Sequence, residues 1–200
     1  NLFPGSGFID FYEGNIFVLS SRGILAFSKD IEVDDGNLKQ IQNNINDFIG
    51  IEHFKKHRRF SVKDLLISGE KIYLSYTEEI KQNCWNTSVI FGDINYQKIK
   101  FEKIFSSKEC VSSVNNIDKE FAAGQSGGKI VKFDDNHILL SIGEYRNRSL
   151  AQNKESINGK IIKINIQDSN YEIISMGHRN PQGLYFDKEN NFILETEHGP

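Results

Sequence analysis

The sequence predicts an all-β protein built as a β-propeller, on three observations. β-Branched and aromatic clusters separated by Gly, Asn and Asp run the length of the chain, which is the composition of strands and tight turns. Long Ala/Leu/Glu helical runs are absent. A unit of apolar run, polar turn and second apolar run recurs about every 60 residues, and four strands per unit at such a period indicates propeller blades.

The first hairpin joins residues 8–12 to 15–22 through Glu13-Gly14-Asn15. The second joins 62–67 to 71–78 through Ser68-Gly69-Glu70, the third 129–133 to 137–144 through Asp134-Asp135-Asn136, and the fourth 183–186 to 191–198 through Lys188-Glu189-Asn190. These turns carry the residues that tight connections favour. Residues 23–28, then 88–94 with 99–105, then 160–166 with 171–175 supply the outer strands. A twisted four-stranded sheet cannot cover both of its faces alone, so radial stacking of neighbours is expected. The count reaches roughly three and a half blades, fewer than a closed ring of at least four. Residues 1–200 are therefore expected to be one partial propeller domain of a longer chain, with further blades after residue 200. Residues 38–60 interrupt the rhythm. Ile41, Ile45, Phe48 and Ile49 lie near helical spacing there, and a loop with one helical turn is expected.

A formal charge of −3 and a pI near 6.0 argue against a nucleic-acid surface, which needs a concentrated Lys/Arg excess. The basic run Lys55-Lys56-His57-Arg58-Arg59 is flanked by neutral and acidic segments; with His53 it reads as a solvated face. No apolar stretch reaches the roughly 18 residues of a membrane-spanning helix.

Cys84 and Cys110 are the only cysteines. They flank the third and fourth strands of the second blade, and a turn near Asn95 would bring those ends together. The pair reads as a disulfide at the open end of a hairpin, or as two buried thiols. A disulfide would imply a periplasmic or secreted protein. Trp85 is expected to pack beside it.

Three runs after Phe121 carry the chemistry: GQSGGKI at 124–130, SIGEYRNRSLAQN at 141–153, and GHRNPQGLYFD at 177–187 ending in ETEHGP at 195–200. Through these runs the sequence resembles the soluble pyrroloquinoline-quinone (PQQ) dependent sugar dehydrogenases, the glucose/sorbosone dehydrogenase family. The GHRNPQGL run is the most specific part, and the resemblance is carried by residues 121–200. It implies a six-bladed propeller that oxidises the anomeric hydroxyl of an aldose to a lactone, with hydride transfer to PQQ held by calcium. Arg179 and Asn180 match the Arg-Asn pair facing the cofactor, where a guanidinium suits carboxylate or quinone oxygens. Gly199 and Pro200 match positions whose carbonyls ligate the calcium. Ser149 and Leu150 fall near substrate-contacting positions. His178 reads as a structural neighbour. The electron acceptor is not identified by the resemblance.

One departure bears on catalysis. Gln125 stands where the family carries the His that serves as general base. A neutral imidazole accepts a proton near pH 7, whereas a carboxamide does not. Glu144, at the end of the strand before it, is the candidate to take that role, with burial raising its pKa. The alternative is a non-catalytic propeller that binds a carbohydrate or protein partner.

Overall fold

The computed structural model describes residues 7–29 and 37–199. Three sheets and a final hairpin follow one another along the chain. The first sheet is β1 (Gly7–Tyr12), β2 (Asn15–Ser20), β3 (Leu25–Ser28) and β4 (Lys39–Asn43), in that spatial order and antiparallel. Its first turn holds Glu13 at φ 48° and Gly14 at φ 76°, the paired left-handed conformation that matches the twist of a two-residue hairpin. β4 is followed by a 3₁₀ turn at Ile45–Asp47 and by α1 (Ile51–Lys56). The interrupting segment thus supplies the blade's fourth strand as well as its helical turn. Ile41, Ile45 and Ile49 are fully buried there, so their spacing serves one core through three different backbone conformations.

The second sheet contains β5 (Val62–Ser68), β6 (Lys71–Lys81) and β7 (Cys84–Asp93). The next strands are β8 (Lys98–Ile99), β9 (Glu102–Phe105) and β10 (Val111–Ser112). β9 and β10 both pair with β7. β8 instead leaves its own blade and pairs in parallel with β4, setting Gln42 opposite Lys98 and Asn43 opposite Ile99. The strand expected over 99–105 is therefore split. Asn44 holds the break, since its side chain donates to the Phe101 carbonyl (3.1 Å) and accepts from the Phe101 N–H (2.7 Å).

The third sheet is a regular antiparallel blade of β11 (Gly127–Lys132), β12 (His137–Ile142), β13 (Lys160–Asn165) and β14 (Tyr171–Met176). The short α2 (Arg148–Gln152) lies in the connection from β12 to β13. β15 (Pro181–Asp187) and β16 (Phe192–Glu197) form the last hairpin. The first strands of successive units are neighbours, β1 beside β5, β5 beside β11 and β11 beside β15. That succession of inner strands is radial blade packing, so the expected partial propeller is what forms.

The first two interfaces have apolar centres. Phe17, Leu25, Ile41, Leu74 and Ile90 fill the space between the first two blades, and Tyr73, Val89, Ile130, Leu140 and Ile162 that between the next two. Tyr73 and Tyr76 are buried in these cores.

Cys84 and Cys110 form the disulfide, with a Cα separation of 5.3 Å. Trp85 stacks on Phe60, ring centroids 3.4 Å apart and planes 12° from parallel. His53 meets Trp85 edge-on at 5.8 Å, so it belongs to this packing and not to a solvated face. Closing a loop of 26 residues' separation removes about 3–4 kcal/mol of unfolded-state entropy in the chain-entropy account. The Cys84→Ser/Cys110→Ser double variant is expected to lose a comparable amount in urea unfolding.

Candidate functional site

The segments entering the inner strands build the site. Arg59 precedes β5, Gln125 precedes β11, and Arg179 and Asn180 precede β15. Adjacent blades are stitched at this end. The Gly127 N–H donates to Asn180 Oδ1 (3.1 Å), Ser141 Oγ donates to the Pro181 carbonyl (2.8 Å), and the Glu144 N–H donates to the Arg179 carbonyl (3.0 Å). Asn180 is 2% exposed. Its oxygen is used in the stitch, which leaves its Nδ2 as the atom able to reach a ligand.

Glu144, Gln125 and Arg179 form one line. The Gln125 amide is oriented by its neighbours. Its nitrogen donates to Glu144 Oε1 (2.9 Å) and its oxygen accepts from Arg179 Nη2 (3.0 Å). The Tyr145 N–H donates to the Gln125 carbonyl (2.9 Å), fixing the backbone as well. Gly143 makes this approach possible, because a Cβ there would lie 2.2 Å from the Gln125 carbonyl oxygen.

Glu144 is buried, and its Oε1 also accepts from the Arg146 N–H (3.0 Å). Burial raises its pKa above the usual carboxylate range; the Arg146 N–H and the charges of Arg148 and Arg179 act against that rise. Tyr145 and Arg146 follow at φ 53° and 64°, a left-handed pair that is a genuine outlier for a bulky residue. The Tyr145 ring holds the turn in place. It is fully buried, stacks on Phe121 at 5.7 Å, and lies with its hydroxyl 3.0 Å from Thr87 Oγ1.

Arg179 is held from both ends. Its N–H donates to Glu197 Oε2 (2.6 Å), and its Nη1 donates to the Gly199 carbonyl. That carbonyl therefore faces the same cation-bearing space as Gln125. Pro200 lies outside the described residues. A cavity of about 520 Å³ opens here, lined by Arg59, Gln125, Arg146, Arg179, Asn180 and His198 among others. Glu144 and Arg179 line a neighbouring cavity with Arg148, Ala151 and Gln152.

Ser149 and Leu150 line neither cavity. Ser149 is exposed and donates to Asn147 Oδ1 (3.1 Å), and Leu150 packs on the Phe60–Trp85–Tyr145 cluster. His178 turns toward the blade interface, 2.8 Å from Ser175 Oγ. Burial lowers its pKa, in keeping with a structural place.

Arg59, Arg146 and His198 are the lining residues that the sequence reading missed. Arg59 had a signal. It stands just before an inner strand, as Gln125 and Arg179 do, and the basic run around it concealed that register.

The sequence matches the family described as Glucose / Sorbosone dehydrogenase over residues 14–200. The aldose sugar dehydrogenase YliI of Escherichia coli (strain K12) is 27% identical over 172 residues, covering 76% of this chain and 44% of that protein. A crystal structure of a glucose dehydrogenase superposes with a TM-score of 0.71 at 21% identity, over 96% of this chain and 57% of the other. The PQQ-bound aldose sugar dehydrogenase of Streptomyces coelicolor superposes with a TM-score of 0.69 at 15% identity, over 98% and 56%. The chain thus spans less than half of its curated relative and somewhat over half of these structures. With a family match that runs from the first blade to the final residue, the chain belongs to the glucose/sorbosone dehydrogenase family.

Proposed function

We propose that the protein of which this chain is part oxidises an aldose at the anomeric carbon to its lactone, using PQQ and calcium. The observation that carries the reading is the Glu144–Gln125–Arg179 line, with Gln125 and Arg179 in the wall of one cavity and Glu144 and Arg179 in the wall of its neighbour. It offers a carboxylate, a neutral hydrogen-bonding group and a guanidinium within one row.

The residues present suit an anionic, planar cofactor. Arg179 offers a fork of donors, Asn180 offers its Nδ2, and Arg146 Nε is buried with no hydrogen-bond partner. When bound, the quinone supplies the hydride acceptor. Glu144 takes the proton of the anomeric hydroxyl, and its raised pKa makes it a better base than an exposed carboxylate. Gln125 orients that carboxylate and hydrogen-bonds the sugar. Calcium takes about 6–8 oxygens; the Gly199 and Pro200 carbonyls would give two and the cofactor others. The disulfide favours an oxidising compartment, the periplasm or the outside of the cell.

A second reading is a non-catalytic propeller that binds a carbohydrate or protein partner, and Gln125 in place of a histidine favours it. Reconstitution separates the two. The full-length protein is mixed with PQQ and Ca²⁺, and aldose oxidation is followed with an artificial electron-accepting dye. Turnover is expected; sugar binding without turnover would leave only the second reading.

A further inference from the structure

Two cavities meet at Arg59. The first, about 480 Å³, runs along the inner strands and is lined by Arg22, Arg58, Arg59, Lys63 and Lys129. The second is the one at Gln125, with Arg59, Arg146 and Arg179 in its wall. Gly124 and Gln182 line both. Among the described residues, neither wall contains an Asp or Glu, although the chain as a whole carries a charge of −3. A concave surface of one sign focuses the field and concentrates counter-ions.

Part of this charge is already balanced. Lys129 donates to the buried Asp64 (2.9 Å), Arg146 lies 3.4 Å from Glu120, and the Arg22 guanidinium lies over the Phe54 ring at 4.0 Å. Arg58 and Arg59 form no ion pair among the described residues. Arg59 is also positioned. Its carbonyl accepts from Lys63 Nζ (2.7 Å), and its guanidinium lies so close over Gly124 that a Cβ there would be 2.2 Å from Nη1. Burial first, then the Arg59 charge, lower the Lys63 ammonium to about 7; burial, Arg59, Arg58 and Lys63 lower His57.

The cofactor proposed above is itself an anion, but its matched contacts, Arg179 and Asn180, line the second of these two cavities and not the first. Arg58, Lys63 and Lys129 line the first alone, and Arg59 joins the two. We propose that Arg59, with Arg58 beside it, forms an anion subsite adjoining the Gln125 site, and that the aldose bound there carries a carboxylate or a phosphate. A guanidinium fork fits either group, and charge-assisted bonds of this kind are about twice as strong as neutral ones. The inference rests on the sugar-oxidising reading for its substrate, and on the charge layout alone for its anion.

The test is equilibrium binding by titration calorimetry, on full-length protein loaded with PQQ and Ca²⁺. Glucose, glucuronate and glucose 6-phosphate are compared at low and moderate salt. One of the two acidic sugars is expected to bind at least about 10-fold more tightly than glucose, and which one does so identifies the anion. The advantage should shrink with salt and vanish in Arg59→Gln, with Arg58→Gln as the second variant should the first not fold. Equal binding of all three sugars overturns the subsite. So does an acid preference that survives Arg59→Gln, or a loss in that variant that is equal for glucose and the acids. The two readings fail separately. Acid-selective binding with no turnover of any sugar removes the dehydrogenase and keeps the subsite; glucose turnover without acid preference does the reverse.

Discussion

Glu144→Gln is expected to lower kcat/KM for aldose oxidation by about 10²–10⁴-fold, the usual contribution of a positioned general base, while the protein keeps or gains thermal stability. The stability half follows from the sign of the shift. Burial raises the pKa of Glu144 in the folded state, so the folded protein holds this proton to higher pH than the unfolded chain does. The ionised form is therefore the costly one in the fold, and the cost is fully present above the raised pKa. A neutral amide of the same shape removes it, and its oxygen can still accept from the Arg146 N–H and from Gln125. Turnover of the unsubstituted enzyme should fall as pH drops through the raised pKa. Steady-state rates against pH, with melting temperatures of both proteins at pH 7, check this. Undiminished turnover in the variant would reject Glu144 as the base and make His198, in the wall of the cavity at Gln125, the next side chain to replace.

The largest effect on folding is expected at Trp85. Its side chain is fully buried, stacked on Phe60 and met edge-on by His53. Val111 lies opposite it across the β10–β7 pair, next to the disulfide. Trp85→Ala removes the largest side chain of the cluster that also contains Tyr145, and such truncations cost about 3–5 kcal/mol. Because the Tyr145 ring supports the left-handed turn after Glu144, the variant should lose activity at temperatures where it is still folded. Urea unfolding measures the first loss. Trp85→Phe, which keeps an aromatic face toward Phe60, should recover most of it.

How legible all this was from sequence differed from one element to the next. The four hairpins were readable because their apolar runs and turn residues are contiguous, so local chemistry is enough to draw them. The Cys84–Cys110 bridge followed from hairpin geometry in the same way. β4 and β8 were not readable as such, since one is a polar five-residue strand and the other a two-residue strand that forms only through a non-local partner. At the site, Arg179 and Gln125 were found because they sit in motifs. Arg59 has no motif around it; it becomes visible once the inner strands are in register and their entrances are compared. The place of Ser149 and Leu150 depends on how α2 rolls against the Phe60–Trp85 cluster, which no local pattern encodes.

The small strand β8 has a mechanical consequence. It leaves the second blade to pair with the first and then returns, so those two blades share main-chain hydrogen bonds, whereas the second and third meet mostly through side chains. Local opening events follow such connections. In native-state hydrogen exchange the amides of β3, β4, β6 and β7 should share one opening free energy. Those of β12 and β13 should report a separate one, and Asn44→Ala, which cuts the tether at Phe101, should split the first group in two.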